Sequence, residues 1–260
     1  YLETIPEPAA ISVRRKKEQI SLDPELAQEI IEAYYATVSF VDAQIGRVLD
    51  KLKKTGLDKK TIVVFTSDHG YHLGDHGHWQ KQTLFEHATR VPLIFSGPGI
   101  SSGLGPINEP VELVDLYPTI MELLQMETPN FVRGKSLNSY FKGSKIPVRN
   151  SALTELLVKT PKGIAQGYSI KTKRYRLNRW SGENLFKYEL YDHKYDQDEL
   201  NNLADHQQYT KVLDSLKKVL EKRVSDAQEY PEGLGRQINA VQPWFEPRLN
   251  LFNRKFSKTN

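Results

Sequence analysis

Five of the seven histidines in the chain, His69, His72, His76, His78 and His87, fall within nineteen consecutive positions. They follow the run Thr61-Ile62-Val63-Val64-Phe65-Thr66, which is apolar and β-branched without alternation, the pattern of a strand covered on both faces. In open parallel sheets ligands bind beyond the carboxyl ends of strands, so Ser67-Asp68-His69-Gly70 stands where a site is expected. Asp68 offers a hard oxygen and His69 a nitrogen, both metal-competent when the carboxylate is ionised and the imidazole neutral. The bland alternative is a turn cap beside a surface histidine. Further on, Gly74-Asp75-His76-Gly77-His78-Trp79-Gln80-Lys81 has two glycines that permit tight turns, and a lysine suited to holding an anionic group beside a metal. Tyr71, His72 and Trp79 are the candidate substrate contacts around it, although large aromatics in loops often cap a core edge.

The elements that must carry these residues read as alternating helix and strand. Pro24 suits a first helical position after Asp23, and Leu26, Ile30, Tyr34, Val38, Val41, Ile45, Val48 and Leu52 recur at steps of three or four until Gly56. A second buried-looking strand, Val91 to Phe95, stops at Gly97-Pro98-Gly99, and Val111 to Leu124 reads as a helix with Asp115 as cap and Pro118 in its first turn. This order predicts a parallel or mixed α/β sheet for residues 1–150. Residues 151–260 read as a small antiparallel α+β subdomain. Aromatic and basic residues there flank the turn Ser181-Gly182-Glu183-Asn184, and Val212, Leu216, Val219, Leu220 and Val224 form one side of a last helix. Residues 1–20, with Pro6, Pro8 and Arg14-Arg15-Lys16-Lys17, read as an irregular surface segment, and the tail after Gly233 shows no period.

Composition removes several function classes. With 260 residues, 38% hydrophobic and 26% charged, the chain can bury a sizeable core, so disorder, collagen and coiled coil are excluded. A mean hydropathy of -0.55 and the lack of any long apolar run predict no membrane span. No cysteine is present, which excludes disulfides and a cysteine nucleophile within this chain. A net charge of +4 is too mild to point to nucleic acid. Tyr1 in place of methionine, with no signal-like apolar core after it, leads to the expectation of an upstream segment.

Taken in order, Thr66-Ser67-Asp68-His69-Gly70, His76-Gly77, Lys81, Glu86, Arg90-Val91-Pro92-Leu93-Ile94 and Pro98-Gly99 resemble the C-terminal half of the sulfatase signature. Tyr34 to Asp42, Asp115-Leu116-Tyr117-Pro118-Thr119, Tyr188 to Asp192 and Glu199 to Leu203 extend the resemblance over nearly the whole chain. Asp-His-Gly followed by Tyr-His-Leu-Gly is similar to the iduronate-2-sulfatase branch. The resemblance implies an alkaline-phosphatase-like α/β core with a small C-terminal subdomain, a bound calcium, and hydrolysis of a sulfate ester on a saccharide of the uronate 2-O-sulfate type. By the same resemblance Asp68 and His69 ligate the calcium, Lys81 contacts the sulfate, and the protein is exported to a periplasm, cell surface, lysosome or medium. The family's formylglycine nucleophile arises from a Cys-x-Pro-x-Arg or Ser-x-Pro-x-Arg type motif, which does not occur here. The nucleophile is therefore expected in an upstream half or an associated chain, and this chain is not expected to catalyse by itself.

Two other readings fit parts of the pattern. A zinc-dependent phosphodiesterase of the same superfamily can also present Asp-His-Gly after a strand, though the spacing of Lys81 and the Arg90 to Ile94 segment favour the sulfatase. A non-catalytic fragment could instead bind polyanions through Arg14 to Lys17 and through Lys171, Lys173, Arg174, Arg176 and Arg179.

Overall fold

A computed structural model describes residues 2–14 and 17–229. Arg15 and Lys16 of the basic run, and the tail after Gly233, lie outside the described residues. Pro6 precedes and Pro8 opens the first helix, α1 (Glu7–Val13), where an expected irregular segment proves to be helical. The four-residue spacing of Ile5, Ala9 and Val13 explains it, since all three are buried on one side against Val158, Trp180 and Tyr191.

Helix α2 (Pro24–Lys54) keeps the expected bounds. Asp23 Oδ1 accepts from Glu25 N at 2.9 Å and Leu26 N at 3.3 Å, and Gly56 adopts φ 69° just past the end, so both ends are capped by the residues that mark them in the sequence. No residue of this helix is buried. Part of its apolar stripe is open, with Val38 at 50%, Val41 at 49% and Val48 at 68% exposure.

Strands β1 (Val63–Thr66) and β2 (Leu93–Ser96) pair with each other. The pairing is antiparallel, Val63 opposite Ser96 and Thr66 opposite Leu93, within what the sequence reads as a parallel or mixed sheet. The described residues do not cover both faces, because Phe65 and Ile94 stand 38% and 57% exposed. A two-stranded ladder can shield only one face with its own connecting segments, and the uniform apolar character of both strands fits a larger sheet. Between them the short helix α3 (Glu86–Thr89) leads out of the histidine-rich loop.

Helix α4 (Leu116–Leu123) corresponds to the expected 111–124 segment, but Asp115 does not cap it. Its carboxylate accepts instead from Glu112 N at 2.9 Å, Lys135 N at 2.8 Å and the Arg149 guanidinium. Arg149 also meets Glu112 at 2.5 Å, and Glu112 pairs with Arg223 at 2.6 Å, so one buried chain of charges ties α4 to the end of the chain. After α5 (Asn138–Phe141), four strands follow in meander order, β3 (Ala152–Thr160), β4 (Gly163–Lys171), β5 (Tyr175–Gly182) and β6 (Leu185–Asp192), all antiparallel. Gly182 faces Leu185 across the expected turn. Helix α6 (Thr210–Gln228) lays Leu213, Leu216, Leu220 and Val224 on this sheet against Tyr168, Ile170, Leu177 and Leu190, while α1 covers another part of it.

Candidate functional site

The loop from Ser67 to Phe85 is fixed by its own backbone. Gly70 N donates to Ala88 O at 2.8 Å, His72 N to Gln80 O at 2.7 Å and Gly74 N to His78 O at 2.9 Å, folding 72–80 into a narrow return. Gly70 is held so close to α3 that a Cβ there would lie 2.0 Å from His87 O and 2.7 Å from Arg90 O. His76 takes φ 58°, and Gly74 and Gly77 also have positive φ, which is the tight turning that the two glycines foretell.

Asp68 and His69 emerge just past the end of β1, on the rim of a broad cleft that Tyr71, Lys81, His87 and Lys171 also border. His69 Nδ1 lies 2.8 Å from Gly70 O; a carbonyl only accepts, so Nδ1 carries a proton and Nε2 is the nitrogen left to face the cleft. That nitrogen stands 3.5 Å from Asp68 Oδ1. Two acceptors converging on one point, one of them a carboxylate 85% exposed, suit a shared cation. One hard oxygen and one imidazole fit part of the shell of a divalent metal and leave most of a calcium's roughly six to eight ligands to other residues. Lys81 is exposed on the same cleft, and its ammonium meets no acceptor among the described residues.

The other expected contacts lie differently. Tyr71 borders the cleft, 36% exposed, and stacks on Tyr34 of α2 with ring centroids 5.2 Å apart. His72 and Trp79 are buried, at 0% and 7% exposure, and neither borders the cleft. Trp79 packs over Gly74, and His72 Nε2 meets Thr83 Oγ1 at 2.8 Å, so both shape the loop from beneath. Burial, reinforced by the charges that His78, His76 and His87 would carry, pushes His72 down to about 3. His76 is likewise lowered by burial and stacks on Phe85 at 4.0 Å, and His78 Nδ1 donates to Val13 O at 3.0 Å, anchoring the loop to α1.

A second set of residues supports the loop and escaped the sequence reading. Arg176 on β5, 1% exposed, donates to Glu199 and to Glu86 of α3, and reaches Ser169 Oγ and Thr89 Oγ1 at 3.0 Å each. Burial alone would raise the Glu199 carboxyl, but Arg176 beside it and His193, bonded at 2.7 Å, hold it at about 2. Glu86, His193 and Glu199 could group around a metal, but the Arg176 guanidinium already bonds to both carboxylates. No local signal in the sequence separates Arg176 from the neighbouring cations; its burial in β5 shows only in the fold. The expected polyanion patch is largely spent in such pairs. Arg176 is buried, Arg174 pairs with Asp192 at 2.6 Å, Arg179 with Glu221 at 2.5 Å and Lys173 with Glu109 at 2.7 Å.

Known proteins resemble this chain over most of its length. Residues 6–126 match the sulfatase family and residues 74–226 match the family described as N-sulphoglucosamine sulphohydrolase, C-terminal. An N-acetylglucosamine-6-O-sulfatase of Bacteroides thetaiotaomicron is 32% identical over 199 residues, 75% of this chain and 35% of the relative. Human iduronate 2-sulfatase is 32% identical over 216 residues, 62% of this chain and 39% of the relative. The solved structure of a 2-O GAG sulfatase superposes with a TM-score of 0.79 at 27% identity, covering 88% of this chain and 50% of the solved one. The chain thus spans between 35% and 50% of these three proteins. With an alkaline-phosphatase-like α/β fold and Asp68, His69 and Lys81 on one cleft, the chain belongs to the sulfatase family.

Proposed function

We propose that the polypeptide containing this chain hydrolyses a sulfate ester on a saccharide, of the uronate 2-O-sulfate type, and that this chain supplies part of the site. The observation that carries the reading is the 3.5 Å approach of Asp68 Oδ1 and His69 Nε2 on the cleft where Lys81 presents an ammonium with no acceptor among the described residues. A divalent cation of the calcium class held there would supply positive charge to the sulfate oxygens. Lys81 orients the sulfate and offsets its charge, and Asp68 and His69 fix the cation's place through a loop clamped at Gly70. Tyr71 offers the sugar an aromatic face held by Tyr34. His72 and Trp79 act on the substrate only through the loop they underpin.

The nucleophile, a formylglycine, and the remaining metal ligands belong to an upstream half of the same protein or to an associated chain. That partner is also the proposed cover for α2 and the exposed face of β1–β2, since the chain reaches only 50% of the solved 2-O GAG sulfatase. Such an enzyme works outside the cytosol, where sulfated polysaccharides are met. Among the described residues no helix is long and apolar enough to cross a membrane.

The 2-O preference rests on the human iduronate 2-sulfatase and 2-O GAG sulfatase likenesses, while the N-acetylglucosamine-6-O-sulfatase likeness makes the 6-O ester the competing substrate. The test is turnover of matched disaccharides sulfated only at uronate O2 or only at glucosamine O6, with a phosphodiester as third substrate. Faster release of sulfate from O2 supports the reading. Preference for O6 moves the specificity, and preference for the phosphodiester with zinc replaces sulfatase by phosphodiesterase.

A further inference from the structure

His72, Asp75 and His87 each offer one ligand atom, and these atoms lie within 4.8 Å of one another. His87 Nε2 stands 3.4 Å from Asp75 Oδ1, close to the ligand-to-ligand separation of a tetrahedral site built on ~2.0–2.1 Å bonds. Among the described residues Nδ1 of His72, the nitrogen that the Thr83 contact leaves to an ion, is buried without a hydrogen-bond partner. The second nitrogen of His72 is engaged with Thr83 Oγ1 at 2.8 Å, the kind of outer contact that fixes a ligating ring. His87 and Asp75 keep 31% and 38% of their side chains exposed, and His87 borders the cleft, so an ion has a way in.

We infer that His72, Asp75 and His87 form a second cation site, selective for a borderline metal of the zinc class and separate from the Asp68–His69 position. Two imidazoles and one carboxylate favour zinc, cobalt or nickel over calcium, which prefers an all-oxygen shell. The fourth position is left to water or to another group of the loop. Such a metal joins the two ends of the 72–87 segment that carries Lys81 between them. It is therefore a clip that positions Lys81 and has no part in bond breaking. The alternative is a packed set of neutral histidines that binds nothing.

Cobalt titration of the full-length protein, stripped with a chelator, separates the two. The inference expects the visible absorption of four-coordinate cobalt, displaced one-for-one by zinc. His72→Gln, His87→Gln and Asp75→Asn should each weaken cobalt binding by more than the ~10- to 100-fold that loss of an outer contact costs, whereas the double substitution Asp68→Asn with His69→Ala should keep the absorption. Circular dichroism checks folding, and Asp75→Asn, on the half-exposed side, serves if a glutamine variant fails to fold. Absence of the four-coordinate spectrum in the unsubstituted protein, its persistence in Asp75→Asn, or its loss in the Asp68/His69 variant overturns the inference. None of these outcomes depends on sulfatase activity.

Discussion

Arg176 on β5 donates to Glu86, the first residue of the helix that closes the histidine-rich loop, across 90 positions of sequence. The C-terminal sheet therefore holds the loop directly, through a charge pair removed from water on one side by a residue only 2% exposed. Breaking such a pair leaves uncompensated carboxylates, which costs far more than the pair contributes relative to apolar packing. Arg176→Leu is expected to destabilise the fold by roughly 3–5 kcal/mol, measured by denaturant unfolding. A loss below about 1 kcal/mol would show that water or a relaxed backbone replaces the guanidinium.

Glu199 sets a pH dependence. Its folded-state carboxyl sits at about 2 against an ordinary 4.5, so the folded protein binds fewer protons and the interaction stabilises above the unfolded value. The contribution, roughly 3 kcal/mol at neutral pH, is lost as pH falls from about 4.5 toward 2. Glu199→Gln should therefore lower the thermal midpoint at pH 7 and bring the variant and the parent together as acid is added. Parallel midpoints at every pH would remove Glu199 from the account.

Gly70→Ala forces a Cβ against backbone, 2.0 Å from His87 O, where no flexible side chain can yield. The loop must move off α3, carrying Asp68 and His69 with it. The expected outcome is a destabilisation of several kcal/mol together with loss of divalent-cation binding at the rim, seen by calorimetry. Unchanged calorimetry would mean that the clamp does not position the pair.

The long helix and the hairpin of antiparallel strands were legible in the sequence because Asp23, Pro24, Gly56 and the 181–184 turn are local signals. Asp68 and Lys81 are singled out by the resemblance, and the structure places both on one cleft. The antiparallel pairing of β1 with β2 was not legible, because a continuous apolar run reports burial and carries no direction. Arg176 was counted with the surface cations, and only the three-dimensional partners Glu86 and Glu199 reveal it as buried. His72 looked like a loop residue open to substrate, yet its burial depends on Thr83 and Phe85 returning over it.

The unpartnered face of α2 makes a prediction about the chain in isolation. Residues 1–260 expressed alone should self-associate through Phe40, Val41 and Val48, exposed at 66%, 49% and 68%, and Val41→Glu with Val48→Glu should yield a more soluble species. Light scattering after size exclusion measures this. The same pair of substitutions should weaken association with the proposed upstream half, and an undiminished association would place the interface elsewhere.

The central claim is that Lys81 meets the sulfate on the cleft shared with Asp68 and His69. Its most direct measurement is the turnover of a 2-O-sulfated uronate disaccharide by the full-length enzyme and its Lys81→Ala variant, with the thermal midpoint recorded on the same samples. An oriented, charge-assisted contact is worth ~2–4 kcal/mol, so the account predicts a loss of roughly 30- to 1000-fold in rate with the midpoint unchanged. Full activity in Lys81→Ala, or a fall in rate that tracks a fall in the midpoint, would contradict it.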